Sequence, residues 1–295
     1  MKLNQKIGIV GRGFVGSAVQ FGFSPNVGCD AEVRVYDIDP NKSTHSLEET
    51  VHESDFIFLS VPTPSNEDGS INIDIVDSAL NDISKMADDY NWANDYVVLL
   101  RSTVIPGTTR EFQSKYSNLN LLFNPEYLTE RSANFDFINQ SRFIIGGGEV
   151  AVSKMYSENL SDLFRERFGE SISILETNYE TAEMIKYMNN CFFSTKISFM
   201  NEMYQIAKKS NVDWEQAVSG FVTDGRIGHS HLNVPGHDGK FGFGGSCFPK
   251  DIRAMIKYAE EIGVDVNVLK GTWETNLKVR PEKDWENLKG RSVVK

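Results

Sequence analysis

Along the first part of the chain, short apolar runs bounded by turn residues alternate with amphipathic stretches. KIGIV (Lys6–Val10) reads as a strand and runs into GRGFVG, after which a helical pattern continues through Phe23. EVRVYDID, DFIFLSVPTP, DYVVLLRST, LNLLFNPE, SRFIIGGG and SISILE read as further strands. Between them lie helix candidates, chiefly Asn72–Tyr90, Gly107–Tyr116 and Val150–Phe168. Apolar strands separated by helices indicate a mostly parallel sheet covered on both faces, a doubly wound α/β fold. Ligands of such sheets bind at the carboxyl ends of the strands.

Past Glu176 the pattern changes. Tyr179 to Ser210 reads as one long helix, followed by helices over Trp214–Phe221, Pro249–Ile262 and Val264–Lys278, with little strand signal. Two domains are expected, an α/β domain over 1–178 and a helical one over 179–295. A chain of 295 residues is long enough for both.

Composition narrows the function classes. Apolar residues make up 40% and charged residues 24%, the balance of an ordinary globular protein. The net charge of −11 argues against nucleic acid or an anionic membrane as partner. An anionic ligand must therefore be held by local backbone dipoles and a few placed cations. Cys29, Cys191 and Cys247 are too few and too scattered for a disulfide framework, and they fit a reducing cytoplasm. No apolar run approaches the ~18 residues of a membrane span. MKLNQK leads straight into a strand-like segment, so no signal peptide is expected.

Gly11-Arg12-Gly13-Phe14-Val15-Gly16 fits G-x-G-x-x-G between a strand and a helix, the context that gives the pattern meaning as a Rossmann-like dinucleotide site, against the plain alternative of a structural turn. The first glycine permits the tight turn, the second lets backbone approach a pyrophosphate, and the third lets helix and strand pack. The helix N-terminus then offers unpaired N–H groups to the phosphates. The second strand ends at Asp37, whose carboxylate can accept from a ribose 2′-OH and would repel a 2′-phosphate, which favours NAD over NADP. Asp39 is the rival carboxylate, and Lys42 keeps NADP open. The gap from Gly11 to Asp37 is long, consistent with an insertion around Ser24–Asp30.

Cys247 stands between a glycine-rich loop (Gly242, Gly244, Gly245) and Pro249, a residue favoured in a first helical turn. Its sulfur is expected near a helix N-terminus, where the dipole stabilises a thiolate. The glycines let the loop pass close to a ligand. Asp251 in the same turn either complements the dipole or faces the thiol as a base. On the long helix Lys186 and Asn190 are four apart and share a face, which Glu183 joins. A lysine and an amide together suit stabilisation of an oxyanion, against the plain alternative of a solvated face. Cys191, turned about 100° from Asn190, reads as core. Glu126 and Glu130 in NPEYLTE, and Ser102-Thr103 in RSTVIPG, follow strand ends.

GRGFVG, VPTP (Val61–Pro64), RSTVIPGTT, NPEYLTE, ETAEMIKYMNNCFFSTKISFMNE and GFGGSCFPKD occur in an order that resembles the UDP-glucose/GDP-mannose dehydrogenase family. DGRIG and GFGGSCF lie closest to its UDP-glucose branch. The resemblance implies NAD-dependent, two-step oxidation of a sugar C6 alcohol to the carboxylate, UDP-glucose giving UDP-glucuronate. It implies that Cys247 is the nucleophile, passing through a thiohemiacetal and a thioester. Lys186 and Asn190 become the oxyanion pair, Thr103 and Asp251 hold a water, and Glu126 is the acid/base group. It extends the cofactor contacts from Gly11, Gly13, Phe14, Val15, Gly16 and Asp37 to Pro62, Thr63, Ser102, Thr103 and Glu130. It places Glu126, Tyr127, Leu128, Lys186, Asn190 and Gly244 on the substrate, and has Arg226 reach the neighbouring subunit's site. The long helix becomes the core of a homodimer.

Full-length members carry a further nucleotide-binding α/β domain; this chain stops at Lys295, in LKGRSVVK, where its first strand is expected. Substrate affinity is the property this puts in question. The loop between Arg226 and Cys247 also carries His229, His231 and His237, which can hold a metal in principle. With no cysteine at a zinc spacing, and a family chemistry that needs no metal, none is expected. GDP-mannose or UDP-N-acetyl-hexosamine oxidation is the sister reading. A catalytically weak NAD-binding partner protein is the reading from another class.

Overall fold

The structure, a computed structural model, describes residues 2–88, 96–149 and 151–294. Tyr90, Asp95, Val150 and Lys295, to which the expected elements reach, lie outside the described residues. The chain divides into two compact units, 1–63 with 73–186 and 64–72 with 187–295. The change from α/β to helical character falls between Asn178 and Tyr179, whereas the units divide later, after Lys186.

In the first unit the order is β1 (Lys2–Val10), α1 (Phe14–Gly22), β2 (Asp30–Tyr36), α2 (Leu47–His52), β3 (Phe56–Leu59) and α3 (Asp74–Asp88). It continues with β4 (Val97–Leu100), α4 (Thr108–Lys115), β5 (Leu121–Phe123), α5 (Ala133–Ile138), β6 (Arg142–Gly147), α6 (Ala151–Phe168) and β7 (Ser173–Asn178). The sheet order is β2-β1-β3-β4-β5-β6-β7, parallel except for the single Phe123–Gly146 pair that joins β5 and β6 antiparallel. Because β1 lies between β2 and β3, the chain leaves it in opposite directions on its two sides. The carboxyl ends of β1 and β3 therefore form the topological switch point where such sheets bind ligands.

Alternation along the strands explains why both faces are covered. Ile7, Ile9, Phe56, Phe58, Val97 and Leu99 pack on one face against α1, α5 and α6, through Val19, Phe137 and Phe164. Val10, Ile57, Leu59, Val98 and Leu100 pack on the other against Leu80 and Ile83 of α3 and Phe112 of α4. A period of two that is apolar on both faces leaves no solvated side, which is why these strands read as continuous apolar runs. DFIFLSVPTP yields a strand only over Phe56–Leu59. The insertion before β2 is a single 3-10 turn, Pro25–Val27.

Helix α7 (Tyr179–Lys209) leads into the second unit, which adds α8 (Trp214–Phe221), α9 (Phe248–Glu261) and α10 (Asn267–Val279). Met200, Leu232 and Val234 form a buried cluster there, with Tyr204 and Trp214 packed against it. Residues 64–72 belong to this unit although they interrupt the first in sequence. Ser65 N–H donates to the Ser292 carbonyl at 2.9 Å, Val294 N–H donates to the Ser65 carbonyl at 3.0 Å, and Arg253 donates to the Glu67 carbonyl at 2.7 Å. Val293 thus pairs with Ser65 through an isolated bridge. Among the described residues no helix is long and apolar enough to cross a membrane.

Candidate functional site

The glycine loop follows β1 directly. Gly11 has φ +92°, and a Cβ there would lie 2.5 Å from the Ser60 carbonyl oxygen. A Cβ on Gly16 would overlap the Gly11 carbonyl, so both glycines are required by close packing. Gly13 differs, because a Cβ there would meet nothing within 4 Å. Its outer side is open, at the N-cap of α1, where no side chain caps the helix and the first turn holds no acid. Phe14 and Val15 begin that turn. An uncapped helix start with an open glycine beside it fits a pyrophosphate.

Asp37 closes the same loop. Its carboxylate accepts from Arg12 N–H at 2.6 Å and from Asp39 N–H at 2.9 Å, so it is held at the tip of β2. The rival Asp39 is engaged as cap of the next 3-10 turn through Asn41 N–H. Ile38 between them is 92% exposed, an apolar surface beside the Asp37 carboxylate that could take a base. Sequence reading passed over it, although an isoleucine in a polar turn was the signal. At the ends of β3 and β4, Thr63 donates to the Thr103 carbonyl at 3.0 Å and Ser102 donates to the Val61 carbonyl at 2.7 Å. Pro62 is exposed, and Glu130 is exposed at the start of the 3-10 turn Glu130–Ser132. NAD thus has a fitting cradle in Gly11, Gly13, Gly16 and Asp37.

Also in the first unit, Lys186 Nζ donates to the Glu126 carboxylate at 2.9 Å and to its backbone carbonyl at 2.7 Å. The other carboxylate oxygen accepts from Leu128 N–H at 2.7 Å. Both partners are buried, so the alternative of a solvated helix face is overturned for Lys186. The ammonium also lies 5.5 Å from the Tyr127 ring centroid, and Arg142 lies 4.9 Å from it. Burial pushes the Tyr127 phenol up to about 12, against the opposing pull of Lys186 and Arg142.

Glu183 does not work beside Lys186 as its spacing implied. Its carboxylate accepts from Gly107 N–H at 2.6 Å, Thr109 N–H at 2.8 Å and the Thr109 hydroxyl at 2.6 Å. It caps α4 from outside, satisfying N–H groups that a helix start leaves open. Arg101, buried, likewise went unread. It donates to Asn124, whose amide donates to the Ile144 carbonyl at 2.8 Å, and so steadies the segment that presents Glu126.

In the second unit Cys247 is the half-buried N-cap of α9, with Pro249 in the first turn, where sequence reading put it. Asp251 N–H donates to the Cys247 carbonyl at 2.8 Å. The Asp251 carboxylate is 1% exposed and accepts from Asn190 Nδ2 at 2.6 Å and from Lys250 Nζ. Lys250 was missed because neighbours one apart on a helix do not normally face each other. Cys191 is buried, and burial pushes its thiol up strongly. The glycines of the thiol loop need correction. Gly242 and Gly244 are pressed onto Asn276 and Arg280, so their lack of a side chain serves internal packing; only Gly245 has open space. Arg226 is exposed and paired with Asp224. His231 stacks on Phe193 at 4.2 Å between centroids. No group of three or more His, Cys, Asp or Glu among the described residues is arranged to hold a metal.

Comparison with known proteins gives the family. The NAD binding domain of the UDP-glucose/GDP-mannose dehydrogenase family matches residues 41–166, and that family's central domain matches 180–278. The glycine loop lies ahead of the first stretch and Cys247 within the second. The UDP-glucose 6-dehydrogenase of Rickettsia typhi is 34% identical over 248 residues, 82% of this chain and 54% of that protein. The UDP-glucose 6-dehydrogenase AglM of Haloferax volcanii is 31% identical over 272 residues, 88% of this chain and 60% of that protein. The chain spans a little over half the length of these curated relatives. The structure of a UDP-glucose dehydrogenase from Pyrobaculum islandicum is similar with a TM-score of 0.80 at 27% identity, over 93% of this chain and 68% of that one.

Two measurements check the site. Gly13→Val fills only open space, so its melting temperature should match wild type while NAD affinity falls by about tenfold or more. Unchanged affinity in calorimetry would remove the pyrophosphate from this loop. Burial outweighs three hydrogen bonds and pushes the Glu183 carboxyl up to about 7. Its native pKa thus lies above the ~4.3 of an unfolded glutamate, so folding takes up a proton between those values. Stability from this group is full below about pH 4 and is lost as pH rises through about 7. Relative to Glu183→Gln, wild type should lose on the order of 3 kcal/mol across that window in urea unfolding. Parallel pH profiles for the two proteins would contradict this.

Proposed function

Because the chain belongs to the UDP-glucose/GDP-mannose dehydrogenase family, whose NAD binding and central domains it carries, we propose that it oxidises the C6 alcohol of a nucleotide sugar to the carboxylate. UDP-glucose is the proposed substrate, supported by the names of the relatives above. The observation that carries the reading is Cys247 at the start of α9, one turn from a buried Asp251 held by Asn190 and Lys250. An alcohol dehydrogenase that stops at the aldehyde needs no such thiol.

NAD bound at the glycine loop supplies the acceptor for two electrons in each of two successive oxidations. A base on the protein takes the C6 hydroxyl proton in the first. The Cys247 sulfur then adds to the aldehyde carbon, forming a C–S bond, and the oxygen takes up a proton to give a thiohemiacetal that still carries one hydrogen on that carbon. Its loss with the hydroxyl proton yields a thioester, and water cleaves the C–S bond to release the acid and restore the thiol. Four electrons leave the carbon and one water enters. Lys186 and Asn190 are the proposed donors to the oxygen that gains charge. Thr103 and Asp251 hold the water, and Glu126, kept in place by Lys186 and Leu128 N–H, exchanges its proton. Tyr127, Leu128 and Gly244 line the substrate in this reading, and Pro62, Thr63, Ser102 and Glu130 the cofactor. A nucleophilic thiol has to stay reduced, which supports a cytoplasmic location.

The same reading makes α7 the core of a homodimer that presents Arg226 to the partner's site. Met188, Phe192, Phe199, Met203 and Ile206 are all exposed. Their spacing puts them within about 60° of one another around the helix. An apolar stripe of that length on a solvated helix calls for a partner surface.

With NAD and UDP-glucose, two NADH per sugar consumed are expected, with GDP-mannose and UDP-N-acetylmannosamine as competitors in the assay. No NADH from any nucleotide sugar favours a binding role instead. Cys247→Ser should abolish acid formation; undiminished acid would sink the nucleophile assignment. Wild type should sediment as a dimer and Phe192→Glu/Phe199→Glu as a folded monomer. A wild-type monomer would refute the stripe as an interface.

A further inference from the structure

The loop that delivers Cys247 is held by side chains of α7 and α10, and the bonding is dense. Gly242 N–H donates to Asn201 Oδ1 at 3.1 Å. Asn276, fully buried, pairs with a single residue of the loop through both ends of its amide. Its Oδ1 accepts from Phe243 N–H at 2.7 Å and its Nδ2 donates to the Phe243 carbonyl at 2.9 Å. This is the hydrogen bonding of a strand neighbour, supplied by one side chain. Arg280, at the end of α10, donates to the Phe241 carbonyl at 3.3 Å, to Asp238 at 2.7 Å and to Asp284 at 2.8 and 2.7 Å. Its charge is compensated at both ends of the fork, and Arg280 with Lys240 holds the Asp284 carboxyl down to about 2.

Packing closes the remaining freedom. A Cβ at Gly242 would overlap Asn276, and one at Gly244 would lie 2.5 Å from the Arg280 guanidinium. The segment from Asp238 to Gly244 is therefore tied through the side chain of Asp238 and through the backbone of Phe241, Gly242 and Phe243, just before Gly245, Ser246 and Cys247. Gly245, with φ +75°, then turns the chain into α9.

We propose that Asn276 and Arg280 are positioning residues that set the reactivity of Cys247 by fixing the backbone of Asp238–Gly244 against α10. Neither side chain is assigned contact with sulfur, substrate or cofactor. They act by holding the sulfur at the N-terminal end of α9, where the N–H groups of the first turn favour the thiolate over the thiol. The charged side chains in the turn that Cys247 caps are Lys250 and Asp251, which bond to each other. The consequence for turnover rests on the proposed role of Cys247, but the consequence for the thiol does not.

The test is alkylation of the protein without added ligand by iodoacetamide across a pH series, with each cysteine followed as its own peptide by mass spectrometry. Buried Cys29 and Cys191 report whether the fold is intact. In wild type, the series gives the reference midpoint of Cys247. Asn276→Asp keeps the shape and the acceptor for Phe243 N–H but loses the donor to its carbonyl. It should raise the midpoint by about half a unit or more, with Cys29 and Cys191 still protected. Arg280→Lys keeps the charge but loses the fork and should raise it by less. If Asn276→Asp unfolds, seen as reactive Cys29 and Cys191, Arg280→Lys decides by the same readout. A Cys247 midpoint unchanged from wild type in either folded variant overturns the proposal. In turnover, kcat should fall with the KM for NAD unchanged. Loss of turnover without a change in the thiol would count against the proposal and leave the enzyme reading standing.

Discussion

Glu126 and Lys186 lie 2.9 Å apart with almost no solvent around either, and neither can be buried without the other. Withdrawing a carboxylate or an ammonium from water costs several kcal/mol, recovered only when the opposite charge and hydrogen bonds fill the remaining valences. The same constraint recurs at three further buried groups. Asp251 is met by Lys250 and Asn190, Glu183 by the open amides of α4, and Arg280 by Asp238 and Asp284. Each pairing ties one element to another, so demands made by charge become fixed positions of backbone.

That is how chemistry is placed in this fold. Gly11 and Gly16 are needed by packing, which leaves Gly13 as the open face of the loop. Leu128 N–H and Lys186 orient the Glu126 carboxylate from two sides. The thiol at the start of α9 is half-buried at an N-cap, and the loop that leads to it is bonded at four of its residues. Gly13, Asp37, Glu126 and Cys247 all sit at or just beyond the ends of elements.

Helix α7 shows how one element carries several duties. Glu183, Lys186 and Asn190 recur at helical spacing, yet they answer to different partners: the amides of α4, the Glu126 carboxylate and the Asp251 carboxylate. Further along, Met188, Phe192, Phe199, Met203 and Ile206 form an apolar stripe in solvent. Spacing of side chains on a helix decides which share a face; the elements packed there decide what the face does.

The order of strands and helices, the glycine loop, Asp37 at the end of β2 and the cysteine at a helix start were legible along the chain. Each rests on local rules: periods of 2 and 3.6, the conformational freedom of glycine, and the fit of proline to a first helical turn. Residues 64–72 joining the second unit, Lys250 facing Asp251, Glu183 capping α4, and Gly242 and Gly244 closing on Asn276 and Arg280 were decided by tertiary structure alone. These contacts join residues whose separation along the chain obeys no repeat, or whose adjacency would normally turn them apart. They are selected by which buried charge or backbone amide lacks a partner once the elements have packed, and that need exists only in the folded protein.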